Sequence, residues 1–336
     1  PRQELFRRIN RAPGGTACLI AMRRALLEML PDRPSLLALE ADLMHLLSSW
    51  FNPGFLKLEK VDWQSPAQLL EQLIRHEAVH AIDGWDDLRR RLQPDRRCYA
   101  FFHPQLPGEP LIFVEVALLP EMPAQIAPLI DKQSSPQPGE SFKVAAFYSI
   151  SNCQPGLRGV SLGNFLIKQV ATALHAELPK LKQFCTLSPI PGLIDWLLAK
   201  PDFAALPQVK KVHVPRLQQA HALLLKNCGK DLAGLLQARA DKAPDQATQQ
   251  AVQRLCAAYL VYQTQGKGGD PVARFHLDNG ARLERINVDG NPSRKGLRQS
   301  AGLMVNYLYE LDEVENRHER YTLGEVVHAR AVAALL

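Results

Sequence analysis

Several features are missing from this sequence of 336 residues. No uninterrupted apolar run reaches the roughly 18–20 residues needed to cross a bilayer. The nearest candidate, Leu111 to Leu119, is short and carries Glu115. No C-x-x-C pair occurs: Cys18, Cys98, Cys153, Cys185, Cys228 and Cys256 are scattered, which suits neither a zinc ribbon nor a small disulfide scaffold and predicts reduced thiols. Low-complexity tracts are absent too, and charged residues make up 22% of the chain, so the composition is that of a folded protein. The opening residues, with Arg2, Arg7, Arg8 and Arg11 among Glu4 and Asn10, lack the apolar stretch of a secretory signal. The closing Ala333-Ala-Leu-Leu336 lacks a Ser-Lys-Leu type address. Together these absences argue against a membrane span and make the cytoplasm the expected compartment.

What is present is a hydrophobic fraction of 46%, enough for a substantial core in one large domain or two of ordinary size. A formal charge of +6 attracts anions in general, but the basic residues are dispersed, and Arg89-Arg90-Arg91 falls in a helical pattern. Neither nucleic acid nor membrane is an expected partner.

Residues 1–94 carry helical spacing nearly throughout: Leu36, Leu37, Leu39, Leu43 and Leu46 recur at helical intervals between proline-containing breaks. Ser65-Pro66 predicts a helix start, Leu69, Leu70, Leu73 and Ile74 give its apolar stripe, and Gly84 predicts its stop. This half is expected to be an all-helical bundle, with apolar stripes in excess of what a lone bundle needs, so self-association into a homo-oligomer through it is also expected.

The texture changes after Pro94. Pro110–Leu119 and Lys143–Ile150 read as strands, Leu162, Phe165, Leu166, Val170, Ala173, Leu174 and Leu178 mark a helix, and Phe184–Ser188 reads as another strand. Strand, glycine-bearing turn, helix and strand make a βαβ-type unit. Helical spacing returns from about 201 to 264, with Pro215 and Pro244 as breaks, and further strand candidates lie at Leu283–Ile286 and Leu303–Tyr309. Residues 95–336 are therefore read as a mixed α/β domain with a helical insertion, and the fold class as α+β.

The turn Arg158-Gly-Val-Ser-Leu-Gly-Asn164 follows a strand and opens a helix, so unpaired N–H groups and the helix dipole converge on one spot suited to a pyrophosphate. It is similar to the phosphate loop of GNAT acyltransferases, usually Arg/Gln-x-x-Gly-x-Gly/Ala. Arg158 and Gly163 match, Ser161 stands where Gly is usual or Glu occurs, and a glycine-containing turn without a ligand accounts for the same residues. Ser149 and Ser151, at the end of the preceding strand, are candidates for contact with an acyl group, although strand-end serines commonly satisfy nearby backbone.

Phe101-Phe-His-Pro-Gln-Leu-Pro-Gly-Glu-Pro110, Phe147-Tyr-Ser-Ile-Ser151, Leu187-Ser-Pro-Ile-Pro-Gly192, Phe275-His-Leu-Asp-Asn-Gly-Ala281 and Gly302-Leu-Met-Val-Asn-Tyr307 resemble the malonyl-CoA decarboxylase family in order and spacing. The resemblance covers most of residues 97–310, while the N-terminal half matches mainly in placement and texture. It implies a GNAT-like catalytic domain behind a helical domain, with malonyl-CoA as substrate. By motif it implies Ser188 and His276 as catalytic residues and Arg158, Gly159, Val160, Ser161, Leu162, Gly163 and Asn164 as the CoA-contacting stretch. Neither metal nor bound cofactor is required, because the substrate's own thioester carbonyl can accept the electron pair released with carbon dioxide. Histidine changes protonation near neutral pH and suits proton delivery to the resulting enolate. On residues alone, His276 between Phe275 and Leu277 also fits a hydrogen-bonded structural histidine, and Ser188 before Pro189 a strand-end turn. A GNAT-type acyl-CoA transferase and a non-catalytic malonyl-CoA sensor are the competing functions.

His76-Glu-Ala-Val-His80 is a literal H-E-x-x-H within the helix predicted from Ser65-Pro66, a pattern that can bind zinc with Glu77 as base. Glu77 is phased toward the apolar stripe and no third-ligand motif follows, so a packing or surface histidine pair is the reading adopted and no metal site is expected.

Overall fold

A computed structural model describes residues 2–160, 162, 166–228 and 245–336. The chain opens with helices Arg2–Arg11, Gly15–Met29 and Leu37–Trp50. Their leucines fall three and four residues apart, so Leu43 and Leu46 share a face and pack with Phe6, Leu19 and Leu26.

Two features depart from the helical reading of residues 1–94. Lys57–Val61 is a strand, β1, paired antiparallel with β2 (Arg96–Phe102). Its Lys-Leu-Glu-Lys-Val alternation is too short to stand out between helical patterns. The helix opened by Pro66, Ala67–His76, also ends well before Gly84, and Gly84 instead begins the next helix, Gly84–Arg91. The cause is Glu77: its backbone turns extended at ψ 103°, and its carboxylate accepts the N–H groups of Val79 and His80, each at 2.8 Å. Those amides are thereby diverted from helical carbonyls. His76 and His80 therefore share no helix face.

The remaining strands are β3 (Pro110–Leu119), β4 (Val144–Asn152), β5 (Gln183–Thr186), β6 (Arg282–Asn287) and β7 (Met304–Tyr309), in the sheet order β1-β2-β3-β4-β5-β7-β6. β4 and β5 are parallel, with Phe147 opposite Thr186, and between them in sequence runs the helix Leu166–Glu177, which is the predicted βαβ unit. β7 pairs antiparallel with β5 and with β6. Helices precede a mixed α/β sheet, as the sequence leads one to expect.

The chain divides into two compact units. One comprises Pro1–Val116, Lys132–Pro136 and Ser149–Val170, the other Ala117–Asp131, Gln137–Tyr148 and Ala171–Leu336. In the first, Val61, Leu70, Leu73, Leu88, Cys98, Phe113 and Cys153 form a core. In the second, Ala117, Ile126, Leu129, Tyr148, Leu187 and Met304 do so, and the helices Val214–Cys228 and Gln246–Ala258 pack against each other. Cys98, Cys153, Cys185 and Cys256 are buried free thiols, and burial pushes the Cys185 thiol up to about 12, which leaves it an inert packing group.

Candidate active site

In the second unit, three elements converge on one buried polar group. Ser188 follows β5 and is pinned by two backbone bonds: its N–H donates to the Val305 carbonyl at 2.9 Å, and Val305 N–H donates back at 3.0 Å. His276 lies in the last turn of the helix Pro271–Asp278. Asp270 caps that helix and Pro271 opens it. Gly280 leaves it at φ +78°, a conformation open to glycine, with its Cα so close to the Val314 carbonyl that a Cβ would not fit. β7 supplies Tyr307 and Tyr309, two residues apart and therefore on one face of the strand.

The result is a chain of short contacts. Ser188 Oγ lies 3.0 Å from His276 Nε2, and His276 Nδ1 lies 2.9 Å from the Tyr309 hydroxyl. Ser188 Oγ donates to Thr186 Oγ1 at 2.9 Å, and Thr186 Oγ1 also accepts the Tyr307 N–H at 3.2 Å. Tyr307 stacks on the imidazole with centroids 4.7 Å apart. His276 is only 3% exposed, and burial alone pushes its pKa from 6.5 down to about 3, so the ring is neutral at pH 7. Burial raises the Tyr309 phenol well above its usual range, so it keeps its proton. With the Ser188 hydrogen on Thr186, a single direction satisfies every partner: Tyr309 O–H to Nδ1, Nε2–H to Ser188, Ser188 O–H to Thr186. That tautomer points the ring's one proton at the serine.

Ser149 and Ser151 form a second cluster, in the first unit. Both hydroxyls donate to Glu77 Oε2, at 2.6 and 3.1 Å, and Ser151 Oγ accepts the Ala78 N–H at 3.2 Å. Glu77 is thus buried with four donors on its two oxygens, and it latches the segment after the Ala67–His76 helix to β4.

The phosphate-loop candidates follow a short 3-10 turn, Pro155–Leu157. Arg158 and Gly159 are exposed, Gly159 has φ +80°, and Val160 and Leu162 are buried. Ser161, Gly163 and Asn164 lie outside the described residues. The turn rests on the helix Gly15–Met29: a Cβ at Gly156 would collide with the Ile20 carbonyl, and buried Arg23 donates from Nη1 to the Gly156 carbonyl at 2.7 Å while pairing with Glu40 at 2.6 Å. Among the described residues, no three His, Cys, Asp or Glu side chains are grouped as a metal site, and no helix is long and apolar enough to cross a membrane.

Sequence reasoning missed Thr186, Tyr309 and Asp270, and met Glu77 only as part of the H-E-x-x-H pattern. Tyr307 and Tyr309 at alternate positions of a predicted strand carried a usable signal, since both must face one side. Asp270-Pro271 was legible as a cap with a first-turn proline.

Helices followed by a mixed α/β sheet, with a buried serine–histidine pair whose imidazole is neutral, define the class of fold and site. The chain belongs to the malonyl-CoA decarboxylase family: the family model for the malonyl-CoA decarboxylase C-terminal domain matches residues 54–336, and that for the N-terminal domain residues 1–51. It is 38% identical over 330 residues to the protein named malonyl-CoA decarboxylase, mitochondrial, of Anser anser anser, and 39% identical over 322 residues to that of Mus musculus. These alignments take in 94% and 92% of this chain, and the chain spans 65% of the length of each relative. Crystal structures of malonyl-CoA decarboxylase from Rhodopseudomonas palustris and Cupriavidus metallidurans superpose with TM-scores of 0.85 and 0.83 at 46% and 44% identity. They take in 99% and 100% of this chain and 79% and 82% of those chains.

Proposed function

We propose that this protein decarboxylates malonyl-CoA to acetyl-CoA and carbon dioxide, with Ser188 and His276 as its catalytic residues. The observation that supports this most directly is the 3.0 Å approach of Ser188 Oγ to His276 Nε2 in a chain of this family. In the reaction, the bond from the methylene carbon to the carboxylate breaks and its electron pair moves onto the thioester as an enolate. Carbon dioxide leaves, and one proton is then added at the enolate carbon.

A carboxylate arriving beside a buried neutral imidazole favours the imidazolium. The ring therefore takes up one proton as substrate binds and returns it to the enolate carbon after carbon dioxide departs. Ser188, between the ring and Thr186, is the hydroxyl that meets the malonyl group. The CoA moiety is assigned to the stretch Arg158–Asn164, a reading supported by the exposed Arg158 and Gly159 and by the helix Leu166–Glu177 further along the chain.

The test is mass-balanced turnover of malonyl-CoA, following carbon dioxide, acetyl-CoA and free CoA together, for the wild type, Ser188→Ala and His276→Ala. Equal carbon dioxide and acetyl-CoA without free CoA is expected, with kcat reduced at least about a hundredfold in each variant. Free CoA that depends on an added acceptor would replace the decarboxylase by an acyl transferase, and tight CoA binding without carbon dioxide would leave a sensor.

A further inference from the structure

Ser188 and His276 come from segments 88 residues apart, yet their polar atoms meet at 3.0 Å. One buried carboxylate links the two segments. Asp270, 1% exposed, uses Oδ1 to accept the N–H groups of Val272 and Ala273, at 3.0 and 2.9 Å, and so opens the helix that carries His276. Its other oxygen, Oδ2, accepts the N–H of Gly192 at 3.1 Å. Gly192 closes the segment Ser188-Pro-Ile-Pro-Gly192, whose first residue is the serine. We propose that Asp270 is a positioning residue that sets the distance between Ser188 and His276 by holding the serine loop and the histidine helix on its two oxygens.

Three further observations bear on this. Helix capping alone needs one side-chain oxygen, and a serine or asparagine would serve as well. The second oxygen is spent on a different chain segment, where its acceptance of Gly192 N–H has no capping value for the helix. Gly192 is also confined at its Cα, since a Cβ there would run into the Tyr259 hydroxyl, so the loop has little room to find another position. The ends of the serine segment are therefore both anchored, Ser188 to Val305 and Gly192 to Asp270. A serine–histidine pair held this way keeps its alignment without help from the substrate, and misplacement by about 1 Å at such a site can cost about a hundredfold in rate.

Asp270→Ser separates the two tasks, because serine keeps the cap but has no second oxygen for Gly192. Asp270→Asn does so by another route: its single carbonyl oxygen caps the helix while its amide, a donor, faces the Gly192 N–H. The inference rests on the decarboxylase reading for its kinetic readout, and a ring signal independent of turnover accompanies it. Turnover of malonyl-CoA, thermal midpoint and the nitrogen-15 signals of the His276 ring, identified by their absence from His276→Gln, are recorded on the full chain. In both variants kcat is expected to fall about tenfold to a hundredfold with KM within about threefold, and the His276 ring nitrogens to shift as the Ser188 contact loosens, while Asp270→Ser keeps a folded transition close to the wild type. A capping role alone would leave kcat, the midpoint and the ring signals of both cap-retaining variants close to those of the wild type, and that result overturns the inference. Wild-type protein that releases no carbon dioxide overturns the decarboxylase reading instead. The ring signals then decide by themselves, shifted signals upholding the positioning role and unchanged ones ending it.

Discussion

The Tyr309 hydroxyl lies 2.9 Å from His276 Nδ1, on the side of the ring opposite Ser188. Because a neutral imidazole has one donor and one acceptor nitrogen, the partner on Nδ1 decides what Nε2 can offer. Because the Ser188 hydroxyl donates to Thr186, Nε2 carries the ring hydrogen and Nδ1 accepts from Tyr309, which keeps its proton.

Tyr309→Phe is therefore expected to leave Nδ1 without a donor and to mix the two tautomers. Loss of one buried partner costs about 1–3 kcal/mol, which sets the scale of the stability change. Turnover is expected to drop about tenfold or more with little change in KM, since the phenol acts through the ring. Steady-state kinetics check this, and a variant with wild-type kcat would show that the hydroxyl does not govern the tautomer.

Burial of His276 also makes stability depend on pH, with a definite sign. The ring in the folded chain takes a proton only near pH 3, whereas in the unfolded chain it does so near 6.5. Between those values the unfolded state binds more protons, so the contribution of the neutral ring is fully present above about pH 6.5 and is lost as pH falls toward 3. One such group gives a slope approaching about 1.4 kcal/mol per pH unit, or about 2 kcal/mol between pH 7 and 5. Urea unfolding of the wild type against His276→Gln at both pH values measures the difference. Parallel losses in the two proteins would mean that the ring titrates normally in the folded state.

The limits of sequence reading have physical causes visible in particular residues. The strands Pro110–Leu119 and Met304–Tyr309 and the parallel β4–β5 unit were legible because apolar β-branched and aromatic runs there are bounded by Pro and Gly. β1 was hidden, since five residues of alternating character fit a helical texture as well as a strand. The end of the helix at His76 was hidden for another reason: the carboxylate of Glu77 accepts the amides of Val79 and His80, a local competition that periodicity does not register. Ser188 and His276 were found through resemblance, whereas the 3.0 Å between them depends on long-range packing that no spacing in the sequence records. Ser149 and Ser151, singled out as acyl-group contacts, have their hydroxyls engaged by Glu77, a buried carboxylate that the H-E-x-x-H pattern had offered as a metalloenzyme base.

The contact between the helix Gly15–Met29 and the turn Pro155–Leu157 gives the N-terminal helices a direct hold on the stretch assigned to CoA. Gly156 fits against the Ile20 carbonyl only because it lacks a Cβ, and Arg23 grips its carbonyl from within a buried ion pair with Glu40. Gly156→Ala forces backbone against backbone, where neither side can yield by changing a rotamer, so the turn must move and the expected cost is about 1–3 kcal/mol. The displacement is carried two and three residues onward to Arg158 and Gly159, while Ser188 and His276 keep their own anchors on Val305 and Asp270. Affinity should therefore suffer more than chemistry: KM for malonyl-CoA rising about tenfold and kcat falling less than about threefold, measured at a temperature where the variant is fully folded. If kcat fell with KM unchanged, the turn would be acting on the reacting group, and the assignment of Arg158–Asn164 to CoA would lose its support. If neither parameter changed in a destabilised variant, the contact would be purely structural and the N-terminal helices would have no part in substrate binding through this turn.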